Sequence, residues 1–121
     1  MNANYRLKTL PAFLVLLLMT TLVMSGCGAA RQSFKKGTRA EVSQDYEAAM
    51  EQYRQAMAAD PQNIEYRLKY EQTRFSAAFV HFQNGRRALT ALDPAKAKAE
   101  FLRATEIDPS HDFAQQELAD A

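Results

Sequence analysis

Residues 45–61 read DYEAAMEQYRQAMAADP, and residues 93–109 read DPAKAKAEFLRATEIDP. Both stretches open on Asp, carry Ala four residues later, an aromatic residue four further on and another Ala three after that, and both close on Asp-Pro. Apolar and small residues at these spacings form one face of an amphipathic helix, which the proline then ends. The chain has no alternating runs of β-branched residues that would indicate strands. The sequence therefore predicts an all-α fold built on two copies of one helix.

Three further helices are predicted around these two copies. They cover about 33–43, 64–91 and 110–120, and Asp45 and Asp93 stand where each repeated helix needs an N-cap. The long segment carries a large apolar face, which consists of Ile64, Leu68, Phe75, Phe79, Phe82 and Leu89. We expect the three phenylalanines of this face to pack against the repeated helices.

The repeated helix resembles the second helix of a tetratricopeptide (TPR) repeat, in which a small residue, an aromatic residue, an alanine and a proline recur at similar spacings. Gly37 and Gly85 stand twelve residues before the small residue of each copy, where that family places a small residue of its first helix. The first helices depart from the family pattern, because Lys36 and Asn84 occupy the position of a large apolar residue.

The spacing of the two copies is longer than in that family. Pro61 and Pro109 lie 48 residues apart, against 34 in a standard repeat. The additional residues amount to about four turns at roughly 3.6 residues per turn, so we expect them to lengthen the third helix without rotating its face. Because glycine costs about 1 kcal/mol in a helix relative to alanine, Gly85 is expected to mark either a close helix approach, which is favoured, or a kink. The resemblance implies a TPR-like helical repeat of α-α hairpins with one elongated helix.

The N-terminal segment has the three parts of a cleaved export signal. Arg6 and Lys8 form a positive start, an apolar run of about 12 residues leads to Met24, and Ser25-Gly26-Cys27 closes the segment. A membrane-spanning helix needs about 20 apolar residues, so a cleaved signal is favoured. The arrangement resembles a bacterial lipoprotein signal, although that family usually has Leu, Val or Ile where Met24 stands.

The lipoprotein resemblance implies cleavage before Cys27 and acylation of its thiol, with palmitate as a label for the acyl chains. It divides the chain into a signal peptide over 1–26, a tether over 27–33 and a TPR-like domain over 34–121. Gly28 stands where inner-membrane lipoproteins commonly have Asp, so the resemblance implies the periplasmic face of the outer membrane. An ordinary secretory signal with an incidental cysteine is the alternative.

The composition and motifs narrow the possible functions. Without residues 1–26 the chain has 13 Lys plus Arg and 14 Asp plus Glu, and this near-neutral balance argues against a general nucleic-acid binder. The motifs HExxH, GxSxG and GxxxxGK[ST] are missing from the sequence, so we expect neither an enzyme nor a bound cofactor or metal. We expect His81 to be half-buried or at the surface, and His111 to be solvated.

Two kinds of side chain are candidates for binding a partner protein. Tyr66 and Tyr70 belong to an aromatic stripe on the long helix, which forms either core or a groove for a partner helix. Arg86 and Arg87 can bind a partner carboxylate or remain solvated. A basic cluster near the N-terminus either meets anionic lipid head groups or forms a solvated helix face, and it consists of Arg31, Lys35, Lys36 and Arg39.

The runs DYEAA (45–49), PQNIEYRL (61–68) and AEFLRA (99–104) also resemble the N-terminal repeat region of lipoprotein-type secretins, the outer-membrane channels of type II secretion and type IV pili. No β-rich channel portion follows these runs, so the resemblance implies an accessory protein or a part of a longer one. It implies a non-enzymatic interaction module whose partner is a secretin, another secretion or pilus component, or a second copy. A generic envelope scaffold that recruits cell-wall or barrel-assembly machinery is the alternative.

Overall fold

A computed structural model describes residues 25–120, and this part of the chain is helical throughout except for short turns. The helices of the described part are α1 (Ser25–Val42), α2 (Tyr46–Ala59), α3 (Ile64–Thr90), α4 (Pro94–Ile107) and α5 (Asp112–Asp120). The all-α prediction is confirmed. The predicted signal sequence before Ser25 and the side chain of Cys27 lie outside what is described. None of the described helices is both long and apolar enough to span a membrane.

The helix α1 is longer than the sequence pattern predicts. It begins at Ser25, so residues 27–33, which were expected to form a tether, are its first turns. Ala29, Ala30 and Arg31 are all strong helix formers, which accounts for the extension. Ala30 is fully buried, which shows that this part of α1 already belongs to the folded domain.

The turn before each repeated helix has the same construction. Gln44 and Leu92, the residues that precede the N-caps, both adopt the left-handed conformation, with φ of 59° and 58°. The side chains of Asp45 and Asp93 then accept hydrogen bonds of 3.1 and 3.0 Å from backbone N–H groups in the first turn of α2 and α4. Both predicted caps are confirmed. Each satisfies a donor that the helix leaves without an internal partner.

The core of each hairpin is a glycine packed against an aromatic ring. A Cβ atom on Gly37 would lie 2.8 Å from the ring of Tyr53, and one on Gly85 would lie 2.5 Å from the ring of Phe101. Both rings are fully buried. The predicted close approach at Gly85 is therefore confirmed, and the same contact recurs 48 residues earlier. The two hairpins, α1 with α2 and α3 with α4, are equivalent in their central contact.

The long helix α3 belongs to both halves of the domain. In its first half, Tyr66 lies with its ring centroid 4.9 Å from that of Phe34 on α1. In its second half, Phe82 lies 5.9 Å from Phe101 on α4. Between these contacts, small buried residues of α3 pack against Ile107 in a cluster that also includes residues of α2. One continuous helix thus packs against the first hairpin with its first half and forms the second hairpin with its second half.

The large apolar face of α3 is not the face that packs into the core. Phe75 and Phe79 are 57% and 42% exposed, so the expectation that they pack against the repeated helices is wrong. Phe82 does make that contact. The buried residues of α3 are instead small, and they are Thr73, Ala77, Ala78, Gly85 and Ala88. Small side chains let α2 and α4 approach the α3 backbone closely, and this packing turns the larger side chains outward.

Candidate functional site: the outer face of the long helix

A row of large apolar side chains runs along the outer face of α3. We call this row the α3 stripe, and it consists of Ile64, Leu68, Phe75, Phe79, Phe82 and Leu89. All of its members are exposed except Phe82, which is half-buried. Four of them, Leu68, Phe75, Phe82 and Leu89, are spaced seven residues apart. Exposed apolar side chains grouped on one face of a helix make this face a candidate interaction site.

The central part of the α3 stripe forms one wall of a groove, and α5 forms the other. The cavity measures about 300 Å³ and is lined by Phe75, Phe79 and Phe82 together with residues at the start of α5. The imidazole of His111 lies 5.1 Å from the ring of Phe82. Phe113, on the α5 side, is 69% exposed. The groove thus combines aromatic rings with the carboxylates of Asp108 and Asp112.

The α5 wall is held in place by a cap that sequence analysis did not predict. His111 is buried, so the expectation that it is solvated is wrong. Its Nδ1 accepts a hydrogen bond of 3.2 Å from the backbone N–H of Ala114, so the ring acts as the N-cap of α5. Asn63 caps α3 in the same way at the equivalent position 48 residues earlier. Because Asn63 and His111 each stand two residues after the proline of a repeated Asp-Pro, aligning the two copies could have predicted this cap.

Asp108 fixes the turn that leads into α5. Its Oδ1 accepts hydrogen bonds from the backbone N–H and the hydroxyl of Ser110, at 3.1 and 2.7 Å, and lies 3.7 Å from the guanidinium of Arg74. Burial works against ionisation of Asp108, but the bonds from Ser110 and the charge of Arg74 outweigh it and keep the pKa of the carboxyl below its ordinary value. The turn that lines one side of the groove is therefore held by the hydrogen bonds and the ion pair of Asp108.

The predicted partner-binding residues fall into two separate groups. Tyr66 and Tyr70 are half-buried in the first half of α3, where Tyr66 packs on α1. Arg86 and Arg87 are exposed near the end of α3 and line a hollow next to Phe79 and Phe82. At least 16 residues of helix separate the two groups, which is about 24 Å at roughly 1.5 Å per residue. The structure places the arginines beside the groove and the tyrosines away from it.

A charged network on another side of α3 links three helices. His81 lies between two carboxylates, with Nδ1 2.6 Å from Glu100 of α4 and Nε2 2.6 Å from Glu47 of α2. Arg103 donates to the other oxygen of Glu47. This bond holds the pKa of Glu47 below its ordinary value of 4.5, against burial, which would raise it.

The network is a structural clamp. Both ring nitrogens of His81 are engaged by carboxylates, which leaves neither nitrogen to act on a substrate. Within residues 25–120, no cluster of His, Cys, Asp and Glu is arranged to hold a metal ion. Sequence analysis expected His81 to be half-buried or at the surface, and it is half-buried, but no partner was predicted for it.

Comparison of the chain with protein-family models, with curated proteins and with solved structures finds no match.

Proposed function

We propose that this chain is a non-enzymatic protein-protein interaction module with a TPR-like repeat, held at a bacterial envelope membrane by a lipid on Cys27. The observation that carries the proposal is the exposed α3 stripe with its groove. An amphipathic helix of a partner protein docks on such a surface by placing its apolar face in the groove. Phe75, Phe79 and Phe113 supply the apolar contact area, and Arg86 supplies a charged group at one end.

The repeated contacts support the TPR-like part of the proposal. In that family a small residue of the first helix packs against the second helix, and the pairs Gly37–Tyr53 and Gly85–Phe101 have this character. The lengthened α3 accounts for the additional 14 residues between the two copies. The resemblance is strongest in α2 and α4, which carry the repeated sequence.

The sequence before and around Cys27 supports the lipid anchor, and the structure adds one supporting feature. Arg31, Lys35 and Arg39 follow one another at intervals of four residues and are all exposed, so they form a basic row on α1 close to the predicted lipid. Each basic residue near an anionic membrane surface contributes about 1 kcal/mol of attraction. The row would hold α1 against the membrane beside the anchor.

Metabolic labelling with palmitate tests the anchor. We expect the wild-type chain to take up label and the variant Cys27→Ala to take up none, because the thiol is the acylated group. The compartment is tested in the same cells, where the wild type is expected in the outer-membrane fraction. Equal label in both chains would remove the anchor from the proposal.

Co-purification from detergent-solubilised envelopes tests the interaction face. We expect Phe79→Asp to lose the partner, because a carboxylate in the groove would have to be desolvated on docking. Leu102→Asp is the matched control, since Leu102 on α4 is exposed to a similar degree, 47%, and lies outside the α3 stripe. Recovery of the same partner with both variants would contradict a docking role for the groove.

The identity of the recovered partner separates the two candidate roles. The secretin-like runs of the sequence favour a role in type II secretion or type IV pilus assembly, with a secretin or another secretion component as the captured protein. Recovery of a cell-wall enzyme or a barrel-assembly complex without a secretin would instead support the generic envelope scaffold.

A further inference from the structure

We propose that a second copy of this chain occupies the α3 stripe, with the two α3 helices antiparallel. The inference rests on the proposed function, because it names the occupant of the same face. It is carried by the spacing of the α3 stripe and by the charges at its two ends.

The spacing of the α3 stripe keeps four of its apolar residues on one side of the helix. Leu68, Phe75, Phe82 and Leu89 recur every seven residues, close to two turns of helix, and so form a seam along which a second helix can lie. Within residues 25–120, α5 covers only one side of this seam, and Phe75 and Phe79 remain largely exposed. The seam therefore has room for one more helix.

The same four residues set the register of an antiparallel pair. When Phe75 is placed opposite Phe82 of the second copy, Leu68 falls opposite Leu89 of the second copy, and the symmetry of the pair repeats both contacts. Phe79 then lies next to the symmetry axis, where it meets its own equivalent. The members of the α3 stripe from Leu68 to Leu89 all obtain an apolar neighbour in this single register.

The charges at the two ends of the seam favour the antiparallel direction. Glu71 and Arg86 are both exposed and flank the three phenylalanines, one on each side, and Glu71 also pairs with Arg74 of its own helix at 2.9 Å. In the register above, Glu71 lies level with Arg86 of the second copy, within reach of the long arginine side chain, and this pairing occurs twice. A parallel pair would instead place glutamate beside glutamate and arginine beside arginine, which is unfavourable.

The exposed area indicates a reversible dimer. At about 200 Å² per side chain, the exposed fractions of Phe75, Phe79 and Phe113 amount to roughly 300 Å². The aliphatic members of the α3 stripe add to this area. A standard interface buries about 800 Å² on each partner. The face therefore suits a dimer that forms and dissociates with concentration.

Charge reversal tests both the dimer and its direction. The full chain is purified in detergent, and its mass is followed by sedimentation over a dilution series. We expect the wild type to dimerise, and we expect Glu71→Arg and Arg86→Glu each to weaken dimerisation at least tenfold, because each homodimer then contains two like-charge pairs. An equimolar mixture of these two variants should restore dimers, and the double variant should behave like the wild type.

Several outcomes would overturn the proposal. A wild-type chain that stays monomeric at the highest concentration, or single variants that dimerise as well as the wild type, would exclude this pairing. Dimers of Phe79→Asp as stable as those of the wild type would place the contact on another surface. The variant Cys27→Ala is measured in parallel and should also dimerise, and loss of its dimers would assign the association to the lipid.

The dimer and the proposed function fail in different ways. If the wild type is monomeric but Phe79→Asp loses an envelope partner that Leu102→Asp retains, the second copy is excluded and the interaction module stands. If Phe79→Asp changes neither the mass nor the captured proteins, both proposals fail. Circular dichroism of each variant establishes that it is folded.

Discussion

Gly85→Ala should destabilise the domain although it places a better helix former in the middle of α3. The new Cβ atom would lie 2.5 Å from Cε1 and 2.7 Å from Cδ1 of Phe101, whereas carbon atoms pack at about 3.5–4.0 Å. Phe101 is fully buried, so its ring can move only by displacing its neighbours. Overpacking of this kind costs about 3 kcal/mol at its upper range, while the gain in helix propensity is about 1 kcal/mol. The expected net loss is about 2 kcal/mol.

Gly28, Gly37 and Gly85 form a matched series. Gly28 has no atom near its Cβ position, so Gly28→Ala should gain up to about 1 kcal/mol from helix propensity alone. Gly37→Ala should lie between the other two, because its Cβ would meet the Tyr53 ring at 2.8 Å. Urea unfolding followed by circular dichroism measures the order. The longer distance at Gly37 predicts a smaller loss there than at Gly85.

A second substitution tests the cause of the loss. Phe101→Leu removes ring atoms that the Gly85→Ala methyl would meet, so the two changes together should cost less than the sum of their separate costs. Stability of Gly85→Ala equal to or above that of the wild type would refute the packing argument, and so would strict additivity with Phe101→Leu.

Three further predictions concern polar groups in the described part of the chain. The Tyr53 hydroxyl donates a hydrogen bond to Glu41 at 2.6 Å, and burial together with Glu41 raises the pKa of Tyr53 to about 12. Tyr53→Phe removes this bond and should lower the free energy of unfolding by about 1–2 kcal/mol. An unchanged melting temperature would contradict a stabilising bond. Because Arg103 keeps the pKa of Glu47 below 4.5 in the folded state, the stability from this carboxylate is present above pH 4.5 and is lost as the pH falls through the lowered pKa. Glu47→Gln should therefore flatten the acid side of the stability curve, and an unchanged acid slope would count against the network. His111→Ala should cost about 1 kcal/mol through loss of the α5 cap, whereas His111→Asn should retain most of it; equal melting temperatures for the two variants would argue against capping.

Local signals in the sequence predicted the two repeated helices closely. Capping Asp residues, the helical spacing of apolar positions and the Asp-Pro ends each act within a few residues, so they are visible without tertiary structure. Both helices end at the residue before Asp-Pro, as expected. The role of Gly85 was also predictable, because a glycine inside a helix requires a reason such as a close contact.

The orientation of α3 was not predictable from its apolar period. The helix carries one face of large apolar residues and another of small ones, and both have helical spacing. Hydrophobicity alone selects the large face for the core, but α2 and α4 can approach α3 closely only where its side chains are small. The preference for small residues at the helix contacts depends on tertiary packing, which the sequence pattern does not contain. For that reason Phe75 and Phe79 were assigned to the wrong side of α3.

The same limit applies to the polar groups of the structure. His81 meets residues that are 34 and 19 positions away in the sequence, and no local pattern connects them. The Arg86 and Arg87 candidates lie beside the groove because they continue the same helix as its phenylalanines. The Tyr66 candidate lies away from the groove because the 20 residues of helix between Tyr66 and Arg86 span about 30 Å.

The continuous α3 has a consequence for how the domain comes apart. In repeat proteins whose units are joined by loops, one unit can melt while its neighbour stays folded. Here the helix that closes the first hairpin is also the helix that opens the second, so melting either half would leave the other with one of its own helices exposed. The 27 residues of α3 therefore couple the unfolding of the two halves, and heating should give one sharp transition in which both halves unfold together.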